Sequence, residues 1–163
     1  MSEPSEHDVE IGFLQRRRIE ANIIAPIYRA MCVELGEQKA AAIIRDAIAA
    51  DACKSGAEFA AKETHGATIS TFVDIQSLWR KGDALVTTTV EQNENTFAFN
   101  VMRCKYSEMY REMGLADIGA LLSCVRDAEF IAGYNPEITF TRTQTLMEGA
   151  SHCDFRYTTT PSA

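Results

Sequence analysis

The sequence lacks the features of membrane-spanning and secreted proteins. No apolar run approaches the length of about 18 residues that a membrane-spanning helix needs. Residues 1–10, MSEPSEHDVE, are acidic and polar, whereas a secretory signal begins with basic residues. The 5 cysteines are odd in number and do not follow the spacing of a disulfide framework, so we expect free thiols in a reducing compartment. These absences predict a cytoplasmic protein that does not enter a membrane.

An excess of positive charge is also missing. The net charge is -7, whereas a nucleic-acid groove normally needs a basic patch. The densest basic run, residues 16–18, lies inside an amphipathic helical pattern, which favours a solvated helix face over a phosphate contact. We therefore expect the partner to be a small molecule rather than nucleic acid or a membrane. A homo-oligomer is compatible with the sequence.

The motifs of several common enzyme classes are absent as well. The sequence contains no phosphate-binding glycine loop, no G-x-S-x-G and no H-E-x-x-H. Its cysteines form no C-x-x-C pair, so the signal for zinc is weak. The function must therefore be argued from residues that break the helix and strand patterns.

The first half of the chain has helical spacing. Apolar residues recur at helical intervals over residues 8–35, where Pro26 is expected to interrupt and kink the helix. A second helix is predicted over residues 37–63, after Gly36, and a shorter one over residues 67–80.

The second half alternates between strand pairs and helices. Residues 106–133 are helical with a break near Gly114, which predicts two short helices between two strand pairs. With 163 residues, the chain is expected to form a single domain over residues 1–163, of which residues 1–7 are flexible. We predict an α+β fold in which the N-terminal helices pack with a four-stranded antiparallel sheet. The predicted strands are residues 84–90, 96–102, 137–143 and 152–158.

Asp127 is out of place on the helix predicted near residues 116–131. It follows Cys124 by three residues, which places it on nearly the same side as the apolar stripe. It could pair with an arginine or cap a loop, or it could lie in a pocket where burial raises its pKa for acid–base chemistry. The expected apolar stripe is Leu121, Cys124, Ala128 and Ile131, and the expected solvent face is Ser123, Arg126 and Glu129.

Arg142 is out of place on the strand predicted over residues 137–143. A period of two puts it on the same face as Ile138 and Phe140. Its planar guanidinium suits a carboxylate ligand, and an ion pair with Asp127 or Asp154 is the alternative. Both interpretations can hold together.

Three cysteines of the second half lie beside charged residues. Cys104 ends a predicted hairpin strand, Cys124 lies on the helix, and Cys153 shares a strand face with Phe155 and Tyr157. Each alone is more often inert packing. Together they predict a shared pocket that contains thiols and a carboxylate.

Residues 103–157, RCKYSEMYREMGLADIGALLSCVRDAEFIAGYNPEITFTRTQTLMEGASHCDFRY, strongly resemble the L-2-amino-thiazoline-4-carboxylic acid hydrolase family. The segment LQRRRIEANIIAPI near the start is also similar, so the resemblance spans most of the chain. The positions that carry it are Cys104 and Tyr106, Tyr110 and Gly114, Cys124 and Asp127, Arg142 to Thr145, and Gly149 with Cys153 to Arg156.

The resemblance implies a hydrolase that opens a small ring at a carbon–nitrogen bond. The substrate would be a cyclic amide or amidine that bears a carboxylate, such as a 2-aminothiazoline carboxylate, and no cofactor is expected. A thiolate of Cys104, Cys124 or Cys153 would attack the ring carbon, and Asp127 would transfer the proton. The substrate-binding residues would be Arg142, Arg156, Thr145 and Tyr106.

Two other functions remain open. In one, the cysteines bind a metal such as zinc that activates water, with Asp127 as base or ligand. In the other, the protein is a non-enzymatic module that binds a small molecule in the same pocket.

Overall fold

Two long helices begin the computed structural model, which describes residues 11–160 of the chain. The expected flexibility of residues 1–7 concerns a segment outside that range. Short helices, a β-hairpin, further helices and a second pair of strands follow, in the order predicted from the sequence. The helices are α1 (Phe13–Leu35), α2 (Glu37–Ala60), α3 (Ile69–Ile75), α4 (Ser77–Arg80), α5 (Lys105–Glu112) and α6 (Val125–Tyr134). The strands are β1 (Leu85–Gln92), β2 (Thr96–Cys104), β3 (Thr139–Thr141) and β4 (Cys153–Thr158).

Helix α1 runs through Pro26, so the predicted interruption at this residue was wrong. Proline has no N–H to donate to the carbonyl of Asn22, but both residues are exposed, and water can satisfy that carbonyl. The helix ends instead at Gly36, whose φ of +83° favours glycine. Within residues 11–160, no helix combines the length and the apolar character needed to cross a membrane.

The four strands form one antiparallel sheet in the order β1-β2-β4-β3. In the central pair, Phe99 lies opposite Phe155 and Val101 lies opposite Cys153, and all four side chains are buried. This sheet and its helices confirm the predicted α+β fold. Strand β3 is shorter than predicted, because Arg142 already lies beyond its end.

Helices α2 and α6 approach each other closely at two glycines. A Cβ added at Gly133 would lie 1.9 Å from the carbonyl oxygen of Cys53, and one added at Gly56 would lie 2.0 Å from that of Phe130. No side chain fits at either position. The two glycines therefore set the distance between these helices.

A π-helical turn, Ala120–Cys124, leads directly into α6. A π turn holds one residue more than an α turn, so the residues on either side of it do not share one α-helical phase. The apolar stripe predicted from a single phase was therefore partly wrong. Ala128 is exposed, whereas Leu122 and Phe130 are buried.

Candidate functional site

A small cavity of about 80 Å³ lies between the sheet and helices α5 and α6. The ends of β2 and β4 meet there with the start of α6, and each contributes cysteines or charged residues to the wall. The structure thus brings together most of the site residues predicted from the sequence. They are Cys104, Tyr106, Cys124, Asp127, Arg142 and Cys153.

Thr145 and Arg156 are not among the residues that line this cavity. Thr145 is buried, and its hydroxyl donates to Glu148 Oε2 at 2.8 Å at the start of a short 3₁₀ helix. Arg156 alternates along β4 with the inward-facing Phe155 and Tyr157. Its guanidinium donates to the carbonyl oxygen of Phe99 at 2.9 Å. In the structure both residues hold backbone in place.

An ion pair joins Arg142 to Asp127 in the cavity wall. Arg142 Nη1 donates to Asp127 Oδ2 at 2.5 Å, and Arg142 Nη2 donates to the carbonyl oxygen of Cys124 at 3.2 Å. The exposed fractions of the two side chains are 15% for Arg142 and 30% for Asp127. The guanidinium thereby fixes both the carboxyl group and the end of the π turn. Asp154 does not take part, because it accepts from the backbone N–H of Thr143 and that of Gln144 instead.

Burial raises the pKa of Asp127 above its ordinary value, and the ion pair with Arg142 offsets only part of that effect. The exposed part of the side chain borders the cavities, so little bulk water reaches it. A carboxyl group with a raised pKa can both accept and return a proton near neutral pH. Asp127 is therefore the residue best suited to acid–base chemistry in this wall.

Burial also raises the pKa of each cavity thiol. The pKa of Cys153 is raised to about 11. The pKa of Cys124 is raised well above its ordinary value, first by desolvation and then by the charge of Asp127, and desolvation raises that of Cys104. Thiols with raised pKa values stay protonated at neutral pH, which disfavours a standing thiolate nucleophile.

The backbone around two of these thiols fixes their positions. Cys104 is the N-cap of α5, and its Sγ accepts from the N–H of Ser107 at 3.4 Å. Cys153 Sγ accepts from the N–H of Leu146 at 3.2 Å. Both sulfur atoms thus act as weak acceptors for local backbone, a structural role that a neutral thiol can perform.

We expect slow alkylation of all three cavity cysteines at neutral pH. Iodoacetamide reacts with the thiolate, so each should react more slowly at pH 7 than free N-acetylcysteine, whose pKa is unperturbed. The rates, followed by peptide mass spectrometry, should still be rising above about pH 9, since the thiol pKa values lie above the ordinary 8.5. A cavity cysteine that reacts faster than the free thiol at pH 7 would contradict this prediction and restore the thiolate nucleophile.

A larger cavity of about 240 Å³ adjoins the small one. Arg17, Trp79, Arg126 and Asp127 line both, so the two spaces meet at Asp127. Together they reach the lower end of the size range of small-molecule sites, about 300 Å³.

Arg17 and Arg126 were not predicted to be site residues. Both were assigned to solvated helix faces, yet the exposed fractions of their side chains are only 11% and 12%. Both guanidiniums point to the carboxylate of Glu20, Arg17 at 2.6 Å and Arg126 at 3.4 Å. Arg126 also pairs with Asp51, whose side chain is mostly exposed. The wall thus carries more positive than negative charge in its buried part.

Metal ligation was considered from the same residues. Within residues 11–160, no group of three or more His, Cys, Asp and Glu side chains is arranged to hold a metal ion. The geometry of the described cysteines therefore does not favour the zinc alternative over the others.

The fold and the cavities together define an α+β domain with an internal space of small-molecule size. Residues 16–157 match the L-2-amino-thiazoline-4-carboxylic acid hydrolase family, and the chain belongs to that family. This confirms the resemblance seen in the sequence. No curated protein matches the chain.

Among solved structures, the fold is similar to the phenol-responsive sensory domain of the transcription activator PoxR, solved with phenol. The TM-score is 0.54 and the sequence identity is 12%, over 85% of this chain and 73% of the other. At this identity the similarity concerns the fold alone.

Proposed function

We propose that the protein is a hydrolase that opens a small heterocycle at the carbon–nitrogen bond of a cyclic amide or amidine. The observation that carries the proposal is the position of Asp127, a carboxyl group of raised pKa that is held by Arg142 where the two cavities meet. Membership of a family named for the hydrolysis of a thiazoline carboxylate supports the same reaction class.

In the proposed reaction, ionised Asp127 takes a proton from water while the water oxygen attacks the ring carbon between two heteroatoms. The carbon–nitrogen bond of the tetrahedral intermediate then breaks, and protonated Asp127 returns the proton to the departing nitrogen. The cation of Arg142 stabilises the negative charge that develops in between. Water is preferred to a cysteine as the nucleophile because burial keeps the three thiols protonated.

Arg17 and Arg126 are proposed to bind the carboxylate of the substrate. They share the single buried carboxylate of Glu20, so their site retains positive charge, whereas Arg142 is engaged by Asp127. A guanidinium pair in a partly desolvated wall suits a carboxylate. This assignment replaces the role that the resemblance implied for Arg156, whose guanidinium bonds to the sheet backbone.

The remaining predicted residues take supporting roles in this proposal. The hydroxyl of Tyr106 donates to the carbonyl oxygen of Trp79 at 3.2 Å and so fixes one side of the cavity mouth. The thiols of Cys104, Cys124 and Cys153 shape the wall around the reacting ring. Thr145 holds the short helix that follows Arg142.

The test is turnover of a panel of cyclic amides and amidines by the purified protein. The panel includes 2-aminothiazoline-4-carboxylate, a carboxylate-bearing lactam, and the methyl ester of each. We expect mass spectrometry to detect a product heavier by one water for at least one carboxylate member and little for its ester. Metal analysis and a chelator control separate this reaction from the zinc-dependent alternative, which requires stoichiometric metal.

A non-enzymatic binding module is the second candidate, favoured by the aromatic residues around the larger cavity. The similar sensory domain of PoxR, which was solved with phenol, shows that a domain of this fold can hold a small molecule. Saturable binding of panel members without any turnover would support this second function over the first.

A further inference from the structure

Gln76 stands out in the wall of the larger cavity. Only 8% of the residue is exposed, and it belongs to the few buried polar residues of the described chain. Its backbone bonds within the helical segment, where its N–H donates to the carbonyl oxygen of Phe72 at 3.1 Å. Its side-chain amide makes no hydrogen bond with another residue of the range 11–160, yet it borders the cavity.

The surroundings of this amide are aromatic. Phe72 is buried one turn before it, and Trp79 lies one turn after it. The Trp79 ring stacks on Phe13 at a centroid distance of 4.8 Å and meets Phe130 edge-on at 5.0 Å. A glutamine in such a wall pays the desolvation of its amide without an internal partner, and this costs about 1–3 kcal/mol. A ligand that bonds to the amide would remove that penalty.

The chemistry of the amide limits what that ligand can be. A glutamine side chain presents a carbonyl oxygen and an NH₂ group side by side, so its best complement is an acceptor and a donor side by side. A ring amide held in the cis form, as in a lactam or a cyclic ureide, has this arrangement. Such a ring is also planar, and a planar ring packs well between aromatic side chains.

We propose that the larger cavity binds a planar ring carrying a cis amide, a lactam or cyclic ureide, and that Gln76 recognises its N–H and C=O edge. The inference rests on the proposed function, because it takes the substrate to be a small carboxylate-bearing ring. It narrows that class from cyclic amidines and amides in general to rings with a free N–H beside a carbonyl. Arg17 and Arg126 line the same cavity and bind the carboxylate of the ring.

The binding test uses hydantoin-5-acetate, a cyclic ureide with a carboxylate, and its 1,3-dimethyl derivative, which lacks both N–H donors. Isothermal titration calorimetry should show binding of the first to the wild type and at least roughly tenfold weaker binding of the second, the usual effect of one lost hydrogen bond in a buried site. Gln76→Met, which keeps the length of the side chain but has no amide, should weaken binding of hydantoin-5-acetate by a similar factor. It should not change the affinity for the dimethyl derivative.

Thermal melting of the ligand-free variants distinguishes recognition from a structural role. Gln76→Met should melt at the wild-type temperature or above it, since the amide has no internal partner to lose. The matched control is Gln144→Met, because Gln144 Nε2 donates to the carbonyl oxygen of His152 at 2.9 Å outside both cavities. This control should lower the melting temperature and leave hydantoin-5-acetate binding unchanged.

Each result decides one proposal without the other. Absence of hydantoin-5-acetate binding, equal affinity for wild type and Gln76→Met, or a melting temperature clearly lowered by Gln76→Met would overturn the inference about Gln76. Turnover of a cyclic amidine would still support the hydrolase in each of these cases. Binding that depends on Gln76 without turnover of any panel member would uphold the inference and remove the hydrolase.

Discussion

Replacing Asp127 with asparagine is expected to lower kcat by about 10²–10⁴-fold, the usual contribution of a general acid–base group. Asparagine keeps the shape of the side chain but cannot accept or return a proton. The substrate dissociation constant should change much less, since Arg17 and Arg126 hold the carboxylate. Single-turnover kinetics with the best member of the panel would measure both quantities.

The same substitution leaves Arg142 without its anionic partner. Loss of one member of a buried ion pair costs about 3–5 kcal/mol, and the partial exposure of Asp127 places the expected loss near the lower end. Activity is therefore compared well below the melting temperature of the variant. The double variant Asp127→Leu with Arg142→Met should regain much of the stability without regaining turnover, because it removes both charges. Recovered turnover in the double variant would contradict the role of Asp127.

The pH dependence provides a second check on Asp127. As a base, the carboxyl group must be ionised, so kcat/KM should rise with pH through a pKa above its ordinary value of about 3.9. Stability should respond in the opposite direction, because the folded state holds the proton more tightly than the unfolded state. Between the unfolded and folded pKa values, this group therefore makes the protein less stable as the pH rises. Both trends should disappear in Asp127→Asn.

Asp117→Asn is the matched control for these experiments. Asp117 also pairs with an arginine, Arg29, at 2.6 Å, but both side chains are about half exposed. A surface pair of this kind contributes between about 0 and 1 kcal/mol. The control should keep full activity and nearly full stability, so that effects at Asp127 can be assigned to its place in the cavity wall.

Gly133→Ala is expected to be the most destabilising single-atom addition in the chain. The new Cβ would lie 1.9 Å from the carbonyl oxygen of Cys53, and backbone cannot move aside as a flexible side chain can. Overpacking usually costs about 1–3 kcal/mol, and this contact with backbone places the loss at the upper end or beyond. The gain in helix propensity, about 1 kcal/mol, offsets only part of it.

Thermal and urea unfolding would measure the loss at Gly133, with Gly12→Ala as the control. No atom lies within 4 Å of a Cβ built at Gly12, so that variant should unfold like the wild type. A loss of about 3 kcal/mol corresponds to a fall of roughly 6–12 °C in Tm for a chain of this size. An unchanged Tm for Gly133→Ala would show that the two helices can separate without cost.

The sequence predicted most of the fold because its periodicity is strong. Alternation along β2 and β4 indicated which side chains face inward, and Gly36 indicated the end of α1. The pairing of Arg142 with Asp127 was one of two interpretations of residues that each interrupt an apolar face, and the structure contains that pair. These predictions depended on local patterns that tertiary packing left unchanged.

The rest of the candidate site left no such local signal. Arg17 looked like part of a solvated basic run, and only the packing of α1 against the rest of the domain turns it towards Glu20 and the cavities. Arg126 was assigned to the solvent face from a helical phase that the π turn had already changed. Gln76 is one polar residue in a short helical segment, and its isolation among aromatic rings exists only in three dimensions.

The π turn before α6 makes the wall of the site depend on chain length at one point. Deleting a single residue from Ala120–Cys124 would allow an unbroken α-helix, and it would rotate everything after it by about 100° relative to what precedes it. Asp127 would then turn away from Arg142 while the helix itself survived. In an alignment, a one-residue gap at this place would therefore mark a chain that keeps the scaffold and has lost the acid–base pair.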